Sequence, residues 1–284
     1  KKKYPSDSNF SPVSGLEGQV WNLKQIDGKM FCGHDSGMFI IDNSKVTRLF
    51  DKIGAWDYRL LEKNLILAGT YDGLHIIEKI GSNWKHKTKI QRFDISSRFF
   101  EVSKDKYILV SHEHKGVFRL KLNTDNYEID DNDLLIDGQS LYSSLSSLGN
   151  SIYFMNNEGF YFYDYEKEQF LKNNQIMKLM KELDFLSGKM VNTNDKNLWL
   201  FGTNSIIKIE KNQFSDEFIL EKFPVRQFLR SGLIGFENII SLDNSSHLLG
   251  SSQGYIVLNE RIRQNKPDIN LSINSIVATN KDKN

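Results

Sequence analysis

His112 and His114 alternate within the hexapeptide SHEHKG, so an extended backbone would carry both imidazoles on one side. With Glu113 and His34 they supply donor types for a metal. Their spacing matches no standard zinc motif, and histidines beside a turn more often make hydrogen bonds. Carboxylates are numerous, but most fall in Asn/Asp/Lys turns such as DNDLLIDG and TNDKN, where they hold turns and stay solvated. No pair poised for glycoside or uronate chemistry can be picked out, and G-x-S-x-G, P-loop and dinucleotide fingerprints are absent. The expectation is no metal, no cofactor and no catalytic residue.

Binding chemistry fits the side chains better. Trp21, Trp56, Tyr58, Arg59, Arg98 and Asn192 recur on one kind of strand, while His34, Asp35, Tyr71, Asp72, His112 and His114 recur on one kind of turn. Aromatic faces stack on the C–H faces of sugar rings, and Arg, Asp and Asn pair with hydroxyls or carboxylates. A plainer reading stays open beside it, with Trp21 and Trp56 as wedges between sheets and Arg98 as an anchor between them. The turns and the strand entrances are expected at opposite mouths, so the set mixes two surfaces.

The elements that must position these side chains are set by a repeat. The phrases KMFCGHDSGMFIID, LILAGTYDGLHIIE, YILVSHEHKGVFRL, IYFMNNEGFYFYD, NLWLFGTNSIIKIE and HLLGSSQGYIVLNE share one pattern: a strand, a tight turn and a second strand. Their turn glycines are Gly37, Gly73, Gly116, Gly159 and Gly254, with Asn204 in the fifth copy, at intervals of 36, 43, 43, 45 and 50 residues. That period denotes a propeller or solenoid, because a hairpin cannot bury its apolar faces alone. A weaker strand precedes each phrase, at 19–26, 56–63, 97–104, 143–150, 189–195 and 237–243. A further strand follows at 44–50, 83–90 and 167–173. Four short antiparallel strands per repeat make a propeller blade. The fold expected is therefore all-β, a propeller of six or seven four-stranded blades. One short helical insertion is expected at 174–186, with Ile176, Leu179, Met180 and Leu183 on one face. The glycines that end strands (Gly33, Gly69, Gly202, Gly250) and those that begin them are expected to supply positive φ together.

The 284 residues carry 37 basic and 36 acidic side chains, a net charge of +1 that gives no long-range attraction to nucleic acid or anionic membrane. The single cysteine, Cys32, excludes an internal disulfide and reads as a packed thiol. No apolar run is long enough to span a bilayer. The N-terminal KKKYPSDSNFSPVSG lacks the apolar stretch of a signal peptide. Beyond Pro267, Ile269, Leu271 and Ile273 alternate like the first strand of another domain. The chain thus reads as a piece of something longer: a lead-in over 1–13, a propeller over 14–261, and a linker with the first strand of a β-sandwich over 262–284.

Phrases such as GLEGQVWNLKQIDGKMFCGHDSGMFIID, GAWDYRLLEKNLILAGTYDGLHIIE and SSRFFEVSKDKYILVSHEHKGVFRLKL resemble the regulator-propeller repeats of bacterial membrane-bound sensors. The resemblance covers roughly residues 14 to 261. It implies an extracytoplasmic, periplasmic sensor part, followed in the family by a triple-tyrosine β-sandwich, a membrane helix and a cytoplasmic output. That output is a histidine kinase in hybrid two-component systems or a LuxR-type DNA-binding domain in a related group, to which the wording here is more similar. It also implies an oligosaccharide or other small polar ligand, a homodimer through the sensor region, and membrane contact only through a downstream helix. Asn204 and Ser205 depart from the family pattern where a glycine is expected. The function expected is non-catalytic ligand sensing; a protein-interaction scaffold and a propeller lyase or hydrolase are the alternatives.

Overall fold

Successive side chains of a strand point to opposite faces of its sheet, so a sheet apolar on both faces must be covered on both. In the phrase LILAGT this alternation sends Ile66 and Ala68 one way and Leu67 the other, and all three are fully buried. The computed structural model describes residues 13–42, 45–51, 53–138, 142–180, 186–193, 197–212, 215, 217–225, 234–251 and 254–261. The lead-in (apart from Val13) and the strand expected beyond Pro267 lie outside these residues.

The architecture is a β-propeller. Blade one comprises β1 (Val20–Ile26), β2 (Lys29–His34), β3 (Gly37–Asp42) and β4 (Lys45–Asp51). Blade two comprises β5 (Ala55–Glu62), β6 (Leu65–Thr70), β7 (Gly73–Ile80) and β8 (Asn83–Lys89). Blade three comprises β9 (Phe99–Val102), β10 (Tyr107–His112), β11 (Gly116–Asn123) and β12 (Glu128–Ile136). Blade four comprises β13 (Ser144–Leu148), β14 (Ser151–Asn156), β15 (Gly159–Asp164) and β16 (Gln169–Lys172). Blade five comprises β17 (Leu186–Thr193), β18 (Asn197–Gly202), β19 (Ile206–Lys211) and β20 (Phe218–Phe223). Blade six shows β21 (Ile239–Ser241), β22 (Ser246–Ser251) and β23 (Gly254–Asn259) among the described residues. Every blade is a sequential antiparallel meander. The helix α1 (Asn174–Met180) sits between blades four and five, inside the range expected for it. Its first turn is capped by Asn173, whose Oδ1 accepts from the Ile176 amide at 3.0 Å.

The core lies between blades rather than within them. Phe31, Met38, Tyr58, Ile66, Ile77 and Trp84 join blades one and two, and Leu67, Leu74, Phe100, Val110 and Phe118 join two and three. Leu109, Leu145 and Phe154 join three and four; Tyr153, Met190 and Leu198 join four and five; Trp199, Phe201 and Leu249 join five and six. No such cluster among the described residues joins blade six to blade one, where Ile240, Tyr255 and Val257 stay exposed and Trp21 meets Phe236 across 5.7 Å.

The two sets of glycines do different jobs, which corrects the joint role expected of them. Gly37, Gly73, Gly116, Gly159 and Gly254 carry positive φ, whereas Gly33, Gly69, Gly202 and Gly250 do not. A Cβ on Gly69 would lie 2.0 Å from the Ser97 carbonyl oxygen of the next blade. That glycine is required by the close approach of two blades near the axis, not by a turn. Cys32 is fully buried on β2 and burial pushes its thiol up to about 11, as a packed thiol should be.

Candidate ligand-binding channel

The first strand of each blade, β1, β5, β9, β13, β17 and β21, faces the axis, and together they line a cavity of about 470 Å³. Its wall and its mouth are built from similar residue types in different states of pairing.

The wall is an ion network. Asp57 on β5 accepts from Lys24 Nζ at 2.7 Å, from Asn22 Nδ2 at 2.5 Å and from Arg59 at 2.5 Å. Arg59 also grips Glu101 on β9 with Nε and Nη2, at 3.1 and 2.9 Å. Burial pushes the Asp57 carboxyl up, but the charges of Arg59 and Lys24 more than offset this and hold it well below the usual carboxylate range. Desolvation and the nearby Arg59 pull Lys24 down.

The mouth is aromatic. Trp21 and Trp56 lie 4.8 Å apart and Trp56 lies 4.6 Å from Tyr71, whose hydroxyl accepts from Trp21 Nε1 at 2.9 Å. Gly54 lets Tyr71 lie flat here, since a Cβ would fall 2.4 Å from its ring. Trp56 Nε1 donates to Ser96 at 3.0 Å. The Arg98 guanidinium lies 3.9 Å from the ring centre of Phe236, 4.8 Å from Phe99 and 5.4 Å from Trp56, and it donates to the Gly235 carbonyl at 2.6 Å. Burial pulls it down to about 10, so it stays charged at neutral pH. Lys189 on β17 holds its ammonium 4.7 Å from the Phe99 ring. Desolvation, with the Arg98 charge adding to it, pulls that amine down to about 7.

Strand entrances and hairpin turns share one end of the channel, contrary to the sequence expectation. Antiparallel pairing forces this: Val20 at the start of β1 opposes His34 at the end of β2, and Ala55 opposes Thr70. Trp21, Trp56, Tyr71 and Arg98 thus form one surface. Tyr58 does not join it. It is 1% exposed, donates to the Phe31 carbonyl at 2.6 Å and accepts from the Lys24 amide at 2.7 Å, which makes it a strap between blades one and two. Arg59 lines the channel but is committed to Asp57 and Glu101.

His34 is also buried, with Nδ1 facing Ser36 and Asp35 and its ring edge-on to Phe39. Asp72 bonds Thr70 and His75 within blade two. His112 is half-buried and accepts from the His114 amide, while His114 is exposed at the tip of its turn. No group of three or more His, Cys, Asp or Glu among the described residues is arranged to hold a metal. Asn192 donates to the Ser147 carbonyl across blades four and five.

Sequence reasoning missed Lys24, Asp57, Phe99, Glu101, Lys189 and Phe236. Lys189 shares its strand with Asn192, so inner-strand position was the signal available. Phe236 precedes β21 in a stretch without the repeat phrase and carried no signal.

Comparison with known proteins supports the fold. No protein-family profile and no curated protein matches the sequence. Among solved structures, the extracellular domain of BT4673 from B. thetaiotaomicron is similar, with a TM-score of 0.58 at 11% identity over 89% of this chain and 37% of that one. A second structure of that domain, described as part of a hybrid two-component system rather than a one-component system, gives 0.54 at 11% identity over 86% and 35%. The chain therefore spans little more than a third of those domains. Virginiamycin B lyase from Staphylococcus aureus, in a catalytically inactive form with quinupristin, gives 0.55 at 15% identity over 88% of this chain and 87% of that one. At these identities the likeness is one of fold: the chain is a β-propeller, as the repeat spacing indicated.

Proposed function

We propose that this propeller is the ligand-reading part of an extracytoplasmic bacterial sensor, binding an oligosaccharide at the aromatic mouth of its channel without turning it over. The observation that carries the reading is the convergence of Trp21, Trp56, Tyr71, Arg98 and Phe236 on the opening of a 470 Å³ cavity. Flat rings beside a guanidinium suit the C–H faces and polar rims of sugars, and the volume suits a small ligand. The resemblance of the repeats to regulator-propeller sensors and the fold likeness to the BT4673 extracellular domain support a sensing role in the periplasm. Signalling then follows by linkage: a ligand that favours one arrangement of a sensor homodimer shifts its population.

The test is a thermal-shift screen of the folded chain against plant and algal oligosaccharides. Ligand at about 100 times its Kd adds about 2.7 kcal/mol, which moves the midpoint by several degrees. A flat panel would favour a scaffold. Product formation from a glycan would favour the enzyme reading, which the fold likeness to virginiamycin B lyase keeps in play.

A further inference from the structure

The charges around the channel do not balance, and the imbalance is local. Lys24, Asp57, Arg59 and Glu101 form two cations and two anions, each within ion-pair distance of another. Arg98 and Lys189 are different. Among the described residues neither has a carboxylate within ion-pair distance; Arg98 donates to a backbone carbonyl, and the Lys189 ammonium has no hydrogen-bond acceptor. Both approach the same ring, Phe99, at 4.8 and 4.7 Å. Glu237, the one further carboxylate lining the cavity, accepts from the Gly235 amide at 2.8 Å.

An unpaired cation held in a partly desolvated cleft is costly, and a second whose charge acts on it raises that cost. A ligand anion relieves both. A planar guanidinium takes a carboxylate through two parallel hydrogen bonds, and an ammonium adds a point charge. The rings of Trp21, Trp56 and Phe236 border the same cavity and offer an apolar face beside the anion.

We propose that the channel mouth selects a carboxylate-bearing sugar, a uronate residue whose carboxylate bridges Arg98 and Lys189 while its ring lies on the aromatic cluster. This rests on the sensor reading above and names the chemical class of its ligand.

Proton linkage provides an independent signature. The charged groups that act on Lys189 are Lys24 from β1, Asp57 from β5, Arg98 immediately ahead of β9 and Glu237 ahead of β21. The residues that β13 contributes to the cavity, Leu145, Ser146 and Ser147, do not titrate. With its amine near pH 7, Lys189 is cationic at pH 6 and mostly neutral at pH 9. Binding of an anion therefore weakens across that interval.

The experiment is isothermal titration calorimetry of the folded chain with trigalacturonate at pH 6, 7.5 and 9. Galactotriose serves as the neutral control, and acetate and sulfate as simple anions; wild type is compared with Lys189→Met. The expected result is trigalacturonate affinity about tenfold above that of galactotriose at pH 6, falling as pH rises and with added salt. In Lys189→Met the preference for the acid shrinks and its pH dependence disappears, while thermal unfolding shows the variant folded.

Equal binding of acidic and neutral sugars, unchanged in the variant, would overturn the uronate assignment and leave the sensor reading standing. Acetate or sulfate binding as tightly as trigalacturonate would overturn the sugar part of the assignment. Absence of any saccharide binding would overturn both.

Discussion

The wall and the mouth of the channel use the same chemical types to opposite ends. In the wall, Lys24 and Arg59 are matched by Asp57 and Glu101 at 2.5–2.9 Å, and Tyr58 straps the neighbouring strands through both capacities of its hydroxyl. In the mouth, Arg98 and Lys189 face rings and a backbone carbonyl. A saturated network has nothing left to offer a ligand and contributes to holding the blades; an unsaturated pair contributes little to holding and can bind. Residue type alone separates none of these roles, since Arg59 and Arg98 look alike in sequence. Pairing state separates them.

The largest test of this contrast is Asp57→Asn. It leaves Lys24 and Arg59 facing each other without their shared counter-charge, and stability should fall by about 3 kcal/mol in urea unfolding. The same network makes a pH prediction. The Asp57 carboxyl is held below its unfolded value, so its stabilisation is complete above about pH 4 and is lost as pH falls through the lower folded value. Wild type should therefore lose more stability than Asp57→Asn between pH 5 and pH 2.

A smaller loss is expected from Tyr58→Phe, about 2 kcal/mol, because the Phe31 carbonyl and the Lys24 amide lose their partner. Trp21→Ala, at the mouth, should cut oligosaccharide affinity by about 1 kcal/mol, roughly fivefold, in calorimetry. If Trp21→Ala changed stability as much as Tyr58→Phe and left affinity intact, mouth and wall would not differ in kind.

A separate test concerns Lys189 in the unliganded protein. Its folded value near 7 lies below the usual lysine value of about 10.4, so over that interval the unfolded chain binds more protons. Stability should rise with pH from 7 toward 10 in wild type, and less so in Lys189→Met. Parallel urea series at pH 7 and 9 decide it.

The blade scaffold was legible in the sequence because propeller strands keep their period. The phrase around Gly73 pairs Thr70 with Gly73, and the weak strand at 56–63 returns as β5. Strands β12 and β20 were not picked out; β12 is polar and exposed in its middle, Asp130 to Asn132, and apolar only near its ends, where Ile129 is buried, so it lacks the apolar run of the inner strands. The helix was placed correctly at its start, and Ile176 is buried as its expected face requires; Leu183 lies outside the described residues, and the expected end at residue 186 is too long, since Leu186 begins β17. The site was legible only in part. Trp21, Trp56, Tyr71 and Arg98 could be named because aromatic and guanidinium groups stand out on inner strands. That the Tyr71 turn meets the Trp21 entrance depends on antiparallel register, and that Tyr58 turns inward depends on which face of β5 packs against blade one. Neither is a property of residue type. Lys189 was passed over because a lysine on a strand ordinarily reads as solvated surface.

The central claim, that ligand occupies the mouth, can be read from the protein's own fluorescence. Of its four tryptophans, Trp84 and Trp199 are 4% and 0% exposed in cores between blades, and Trp21 and Trp56 are half-buried at the mouth. Titration with the oligosaccharide that shifts the thermal midpoint should give a saturable change in tryptophan emission. That change should vanish in the Trp21→Phe/Trp56→Phe double variant. Saturable binding by calorimetry with unaltered wild-type emission would place the ligand elsewhere on the propeller and contradict the account.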